Sequence, residues 1–198
     1  MALSLDDDQL VKKGSKLTLG NLTKSNPRWW VGLGWDPAPG SVDVDCDLWL
    51  VALKGGEAID LVHYDPNNPK AIVVSSETQS LTYNGDDRTG SSSDGGDDET
   101  GIIDLAKLNA VGGDKVLLIA SIYEPGSMTF DQIKGAHMRI WPDGDESKQV
   151  GMNLTDMGVG ARVVIFGWLE KDGDSWSFMN QPSHAPSIQA ALMPFGIG

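Results

Sequence analysis

Basic side chains are scarce in this sequence. Its 15 lysines and arginines face 28 aspartates and glutamates, which gives a formal net charge of −13. A protein that binds nucleic acid neutralises phosphates with Lys and Arg, and a protein that docks on anionic lipid needs the same side chains. The charge balance therefore argues against nucleic-acid partners and against binding to an anionic membrane surface.

Cysteine and long apolar runs are also nearly lacking. The single Cys46 cannot form an intrachain disulfide, which excludes the framework that holds small secreted domains together. No apolar stretch approaches the roughly 20 residues of a membrane span, and residues 3–10 are acidic where a signal peptide is basic and then apolar. We therefore expect no direct membrane insertion and a cytoplasmic location, or a place within a soluble assembly such as a virion.

Side chains that carry catalysis are few. The chain has three histidines, and no serine stands in a G-x-S-x-G turn, so a Ser–His–Asp arrangement has little support. Three histidines and one cysteine also argue against a zinc site. The glycine-rich segment 84–99 is not a phosphate-binding P-loop, because no lysine occurs between Ala71 and Ala106. We expect that the protein is not an enzyme.

Turn-forming residues and short apolar segments are abundant. The 198 residues include 24 glycines and 10 prolines, a length typical of one domain with many turns. Helical signals are limited to two short segments, 104–110 and 129–135. The pattern predicts an all-β fold, a two-sheet β-sandwich with a few short helices. Its strands are expected at 28–33, 48–54, 70–74, 115–123, 137–141, 162–169 and 176–179.

The negative charge is concentrated in two segments. Residues 84–99 hold six carboxylates against the single Arg88, with glycines and serines between them. Calcium takes six to eight oxygen ligands and accepts irregular loop geometry, so a cation site is one interpretation. A solvated acidic loop is the alternative.

The second acidic segment is D-V-D-C-D at 43–47. If this stretch is extended, Asp43, Asp45 and Asp47 lie on one face, spaced about 7 Å apart. An EF-hand is excluded, because Leu48 stands where its glycine is needed and Lys54 where its glutamate is needed. A cation site must therefore be assembled from separate segments.

Four short motifs carry a resemblance to a known family. They are G-L-G-W-D-P at 32–37, D-V-D at 43–45, G-D-D-R-T-G at 85–90 and G-D-D-E at 96–99. In order and spacing they resemble the TerD family of tellurium-resistance and stress proteins, and the resemblance extends over about residues 3–178. It implies a β-sandwich that binds calcium, typically two ions, through the acidic segments.

The resemblance also implies which carboxylates bind the metal. Asp94 is expected only to shape the charge of its loop. Asp47, where the family usually has a small residue, is either a further ligand or a solvated neighbour. The predicted metal ligands are first Asp36, Asp45, Asp86, Asp97 and Glu99, and then Asp43, Asp87 and Asp98.

The C-terminal end differs in composition from the rest of the chain. Residues 175–198 contain no Asp, Glu, Lys or Arg, and apolar side chains lie between three prolines. We divide the chain into a calcium-binding sandwich at 1–179 and an extension at 180–198. The extension is expected to bind a protein partner or another copy of the chain. The alternative is that it folds back over an open end of its own sandwich.

Together these observations predict a non-catalytic calcium-binding protein of the stress-response and tellurium-resistance type that acts as a scaffold or interaction module. The alternative is a structural subunit of a phage particle or another large assembly that uses the same calcium-stabilised fold.

Overall fold

Antiparallel strands make up most of the regular structure. The structure is a computed structural model and describes residues 14–36, 44–64, 73–90, 96–123, 128–157 and 160–197. Over these residues the strands are β1 (Ser15–Thr18), β2 (Arg28–Gly34), β3 (Cys46–Lys54), β4 (Glu57–Val62), β5 (Val73–Ser75), β6 (Leu81–Asn84), β7 (Glu99–Asp104), β8 (Lys115–Ile122), β9 (His137–Pro142), β10 (Val150–Asn153), β11 (Val163–Asp172), β12 (Ser175–Asn180) and β13 (Ser183–Ala185).

The helices are short. They are α1 (Asn21–Ser25), α2 (Leu105–Ala110) and α3 (Ile188–Leu192), with 3-10 turns at Phe130–Gln132, Glu146–Lys148, Leu154–Met157 and Met193–Phe195. Among the described residues, none of the helices has the length and apolar character needed to cross a membrane.

The strands form two sheets. Within the described ranges the first sheet has the order β1-β12-β11-β8-β3-β4, with β13 also paired to β11, and the second has the order β10-β9-β2-β7-β6-β5. Within each sheet, every pair of neighbouring strands is antiparallel. The prediction of an all-β fold with two sheets and few helices is confirmed.

One core lies between the two sheets. In β3, Cys46, Leu48, Leu50 and Ala52 belong to this core, which leaves the intervening side chains on the outer face. The second sheet contributes its buried positions in the same alternating way, from Trp29, Val31 and Leu33 of β2 among others. The alternation of inward and outward side chains along each strand fixes which of them face the core.

The two predicted helices have different outcomes. Helix α2 follows Asp104, whose side chain accepts hydrogen bonds from the amides of Ala106 and Lys107. The helix expected at 129–135 is wrong in length, since a single 3-10 turn ends at Gln132. Ile133 is extended and buries its side chain in the core, which ends the helical turn.

The C-terminal segment covers the outer face of the first sheet. Strand β13 pairs with β11, and Ser187 caps α3 by accepting a hydrogen bond from the amide of Ala190. Ala191 and Leu192 then join an apolar cluster with Val51, Leu53, Leu117, Ile119 and Val163. The segment thus folds back on its own chain, as the second of the two arrangements expects, but it covers the outer face of a sheet and not an open end of the sandwich. An external partner for the segment stays a prediction.

Leu192 tests how much this covering contributes to stability. It is 4% exposed, whereas the neighbouring Met193 is 69% exposed. We expect Leu192→Ala to lower the free energy of unfolding by about 2–5 kcal/mol, because it leaves a cavity above the sheet. Met193→Ala is the matched control and should change it by about 0.5 kcal/mol or less. Urea unfolding of both variants measures the difference, and equal small losses would show that the segment adds little to the fold.

Candidate functional site

Three aspartates from two segments lie together. Asp45 precedes β3, Asp47 is the second residue of that strand, and Asp86 follows β6. One carboxylate oxygen from each lies within 4.8 Å of the other two. We call these three residues the aspartate cluster. Since β3 belongs to the first sheet and β6 to the second, the cluster links the two sheets.

The aspartate cluster carries a strong mutual repulsion. Burial, together with the charges of Asp45 and Asp86, raises the pKa of Asp47 to about 7. Burial also raises the pKa of Asp86, although the charge of Arg88 opposes this change. A group of this kind is stabilised when a proton or a cation removes part of its negative charge.

Glu99 is buried close to the cluster. One carboxylate oxygen accepts a hydrogen bond from the amide of Leu48 in β3, and the other accepts one from the hydroxyl of Tyr83, each at 2.7 Å. Burial and the charge of Asp47 raise the pKa of Glu99 well above its usual value, while the hydrogen bond from Tyr83 opposes this. Glu99 therefore connects β7 of the second sheet to β3 of the first.

The predicted ligand Asp87 shapes the loop beside the cluster. Its Oδ1 accepts hydrogen bonds from the backbone amide and the hydroxyl of Thr89, at 2.8 and 3.0 Å. The next residue in the loop, Arg88, places Nε 3.7 Å from Oδ2 of Asp45 and is largely exposed. Gly90 has φ +64°, and a side chain there would overlap Trp35, so this turn requires glycine.

The predicted ligand Asp97 is held by a different set of partners. Nη2 of Arg139 lies 2.6 Å from Oδ2 of Asp97, and Nε2 of His137 lies 3.5 Å from Oδ1. Although burial opposes ionisation, His137 and Arg139 hold the pKa of Asp97 below its usual range. The carboxylate lies over Gly32, where any Cβ would overlap it. Asp97 is therefore neutralised by protein side chains, and its role as a metal ligand stays a prediction.

The predicted ligands Asp98 and Asp36 contact other groups. Oδ2 of Asp98 accepts a hydrogen bond of 2.8 Å from the amide of Trp35. Oδ2 of Asp36 is 4.0 Å from Nζ of Lys134. Neither carboxylate belongs to the aspartate cluster. Asp43 and Asp94 lie outside the described residues.

The structure thus brings two predicted ligands, Asp45 and Asp86, together with Asp47. The role of Asp47 was left open by the sequence, although its alternation with Asp45 placed the two on the same face. Sequence reasoning missed Tyr83 as the partner of Glu99 and Arg139 as the partner of Asp97. No local signal could have identified them, because each partner comes from another strand.

The chemistry of the site is that of oxygen ligands. The thiol of Cys46 lies between the two cluster aspartates in sequence but is fully buried, and burial followed by the charge of Glu99 raises its pKa well above the usual value. A thiol in this state is a poor nucleophile. Grouped carboxylates suit a hard divalent cation, so the donor set fits calcium.

Comparison with known proteins gives both a family and a fold. The TerD domain family model matches residues 9–182. The tellurium resistance protein TerD of an Alcaligenes species is 32% identical over 178 residues, which cover 85% of this chain and 86% of that protein. The stress response protein SCP2 of Bacillus subtilis (strain 168) is 26% identical over 195 residues, which cover 90% of each chain.

A solved structure has the same fold. It is the crystal structure of a homologue of the telluride resistance protein TerD from Streptomyces coelicolor A3(2), which superposes with a TM-score of 0.64 at 17% identity. The match covers 84% of this chain and 95% of that one.

The ion pair between Arg139 and Asp97 is expected to be important for stability. Both side chains are 6% exposed, so Arg139→Ala leaves a buried carboxylate without its main countercharge. We expect a loss of about 3–5 kcal/mol in the free energy of unfolding. Arg28→Ala is the control, because the pair between Arg28 and Asp143 is exposed and such pairs contribute about 1 kcal/mol or less. Similar losses in urea unfolding for both variants would contradict this assignment.

Proposed function

The chain belongs to the TerD domain family, and from this membership and the aspartate cluster we propose that it is a non-catalytic calcium-binding protein. The proposal gives it the tellurium-resistance or stress-response role that the names of its relatives state. In that role it acts as a scaffold or interaction module whose ion stabilises the contact between two acidic segments.

The observation that carries the proposal is the grouping of Asp45, Asp47 and Asp86 within 4.8 Å. Three carboxylates this close repel one another, and the largely exposed Arg88, 3.7 Å from Asp45, offsets only part of that repulsion. A divalent cation removes this repulsion and uses the same oxygens as ligands. These three side chains are therefore the ones that would hold calcium.

Calcium is favoured over magnesium by the way in which the site is built. Asp45 and Asp86 come from irregular backbone at strand ends, which suits the variable geometry of calcium better than the strict octahedron of magnesium. The resemblance predicts two ions. Within the described residues the aspartate cluster is the one group of three carboxylates that come this close together, so a second ion stays a prediction.

An ion in the cluster would connect the two sheets. Asp45 and Asp47 lie at the start of β3, and Asp86 belongs to the loop after β6. Bound calcium would therefore restrain the loop of the second sheet against the first sheet. A rigid surface of this kind is what a scaffold requires, and no reaction at the ion is needed.

A structural subunit of a phage particle or other large assembly stays the alternative from the sequence. The uncharged C-terminal segment favours assembly of some kind, and in the structure this segment lies against its own sheet. The cytoplasmic or virion location likewise stays a prediction.

Removal of single carboxylates tests the proposal. Asp45→Asn, Asp47→Asn and Asp86→Asn should each weaken calcium binding by about tenfold or more in calorimetry, because each removes a charged ligand. Asp174→Asn is the control for charge, since Asp174 is exposed in the turn between β11 and β12. Calcium at a hundredfold over Kd should stabilise the wild type by about 2.7 kcal/mol, and EDTA should reverse this. No calcium uptake, or equal losses in all four variants, would refute the site.

The pH dependence of calcium binding gives a second prediction. Asp47 has a pKa of about 7 in the metal-free protein, and calcium binds the deprotonated carboxylate. Below pH 7 the ion must displace a proton, so Kd should rise by about tenfold between pH 8 and pH 6. Asp47→Asn removes this titrating carboxyl group, so its Kd should depend less on pH than the Kd of Asp174→Asn. A Kd that is the same at both pH values in the wild type would contradict the assignment.

A further inference from the structure

A cavity of about 360 Å³ borders the aspartate cluster. It lies between the outer face of the first sheet and the residues that begin α3. Asp47 belongs both to the cluster and to the wall of the cavity. The other lining residues used below are Trp49, Ser121, Arg162, Ile188 and Gln189. The volume is in the range of sites for small molecules.

One wall of the cavity is flat and held in place. The indole of Trp49 stacks on the ring of His63, with centroids 3.8 Å apart and planes 13° from parallel. Its Nε1 donates a hydrogen bond of 2.9 Å to Oγ of Ser121, which lies 3.4 Å from Oδ2 of Asp47. The indole therefore offers a fixed apolar surface beside the cluster, with Ile188 from the C-terminal segment on the cavity wall.

The charged groups on the wall are of opposite sign. Arg162 is half-buried, and its Nη2 lies 3.4 Å from the carbonyl oxygen of Ile122. A guanidinium has five N–H donors in a planar fork, which matches the oxygens of a carboxylate or phosphate. An anion that reaches Arg162 would also come near Asp47, so its binding requires that the cluster be neutralised.

We propose that this cavity binds a small planar organic anion, with its carboxylate or phosphate between Arg162 and calcium at the aspartate cluster. The flat part of the anion packs on Trp49. The inference rests on the proposed function, because the ion supplies the positive charge that offsets the three aspartates. Calcium takes six to eight oxygens, so three carboxylates leave positions that an oxygen of the anion occupies.

The test uses the full chain with phenyl phosphate and benzoate as probes and benzyl alcohol as the uncharged control. Binding is followed through the Trp49 indole N–H in NMR spectra, assigned with Trp49→Phe, in calcium and in EDTA. We expect saturable shifts with at least one anion in calcium, weaker binding in EDTA and none with benzyl alcohol. The two probes distinguish a phosphate ligand from a carboxylate ligand.

Two variants address the charged end of the ligand. Arg162→Gln should raise Kd for the anion by about tenfold or more, because it removes charge-assisted hydrogen bonds. Arg28→Gln is the matched control and should leave Kd unchanged. If Arg162→Gln does not fold, Gln189→Glu replaces it, since Gln189 is exposed and the new carboxylate on the cavity wall should also weaken binding.

The outcomes separate this inference from the proposed function. Calcium uptake is measured by calorimetry on the same samples. If calcium binds but neither anion does, or if binding is equal in Arg162→Gln and Arg28→Gln, the anion site is refuted and the calcium site stands. If calcium does not bind, the proposed function fails, and the anion site fails with it.

Discussion

Repulsion between carboxylates at the junction of the two sheets is the constraint on which the rest of the structure depends. The chain gathers acidic side chains from strands of both sheets and compensates each group in a different way. Asp97 has the guanidinium of Arg139. Glu99 has hydrogen bonds from the hydroxyl of Tyr83 and the amide of Leu48. In the aspartate cluster, Arg88 lies 3.7 Å from Asp45 and is largely exposed, and a bound cation would complete the compensation.

The strand segments with β-branched and aromatic residues were predictable from the sequence. Strands β2, β8 and β9 are close to the predicted ranges, because runs of large apolar side chains bounded by turn residues have few other stable conformations. Strands β1, β4, β6, β7, β10 and β13 were missed, since they are short, carry mixed polarity and are stabilised by pairing with neighbouring strands.

The candidate site was predictable in composition but not in grouping. The sequence identified the acidic segments, and the alternation of Asp45 and Asp47 placed them on one face. It could not distinguish Asp86 from Asp97, because both lie in the same glycine-rich stretch. The distinction comes from Arg139, which β9 places opposite Gly32 through strand pairing. The lack of charge in the C-terminal segment is also explained by the structure. The segment covers an apolar sheet face, and charged side chains buried there would lose their hydration.

Gly32 connects two segments that are distant in the chain. The carboxylate of Asp97 occupies the volume that a side chain at position 32 would need, so a larger residue there displaces Asp97 and the residues next to it. Residue 32 and residues 96–98 are therefore not free to diverge separately. Related chains that carry a side chain at position 32 should therefore also differ at residues 96–98 and lack the arginine on the neighbouring strand. These positions are expected to evolve together.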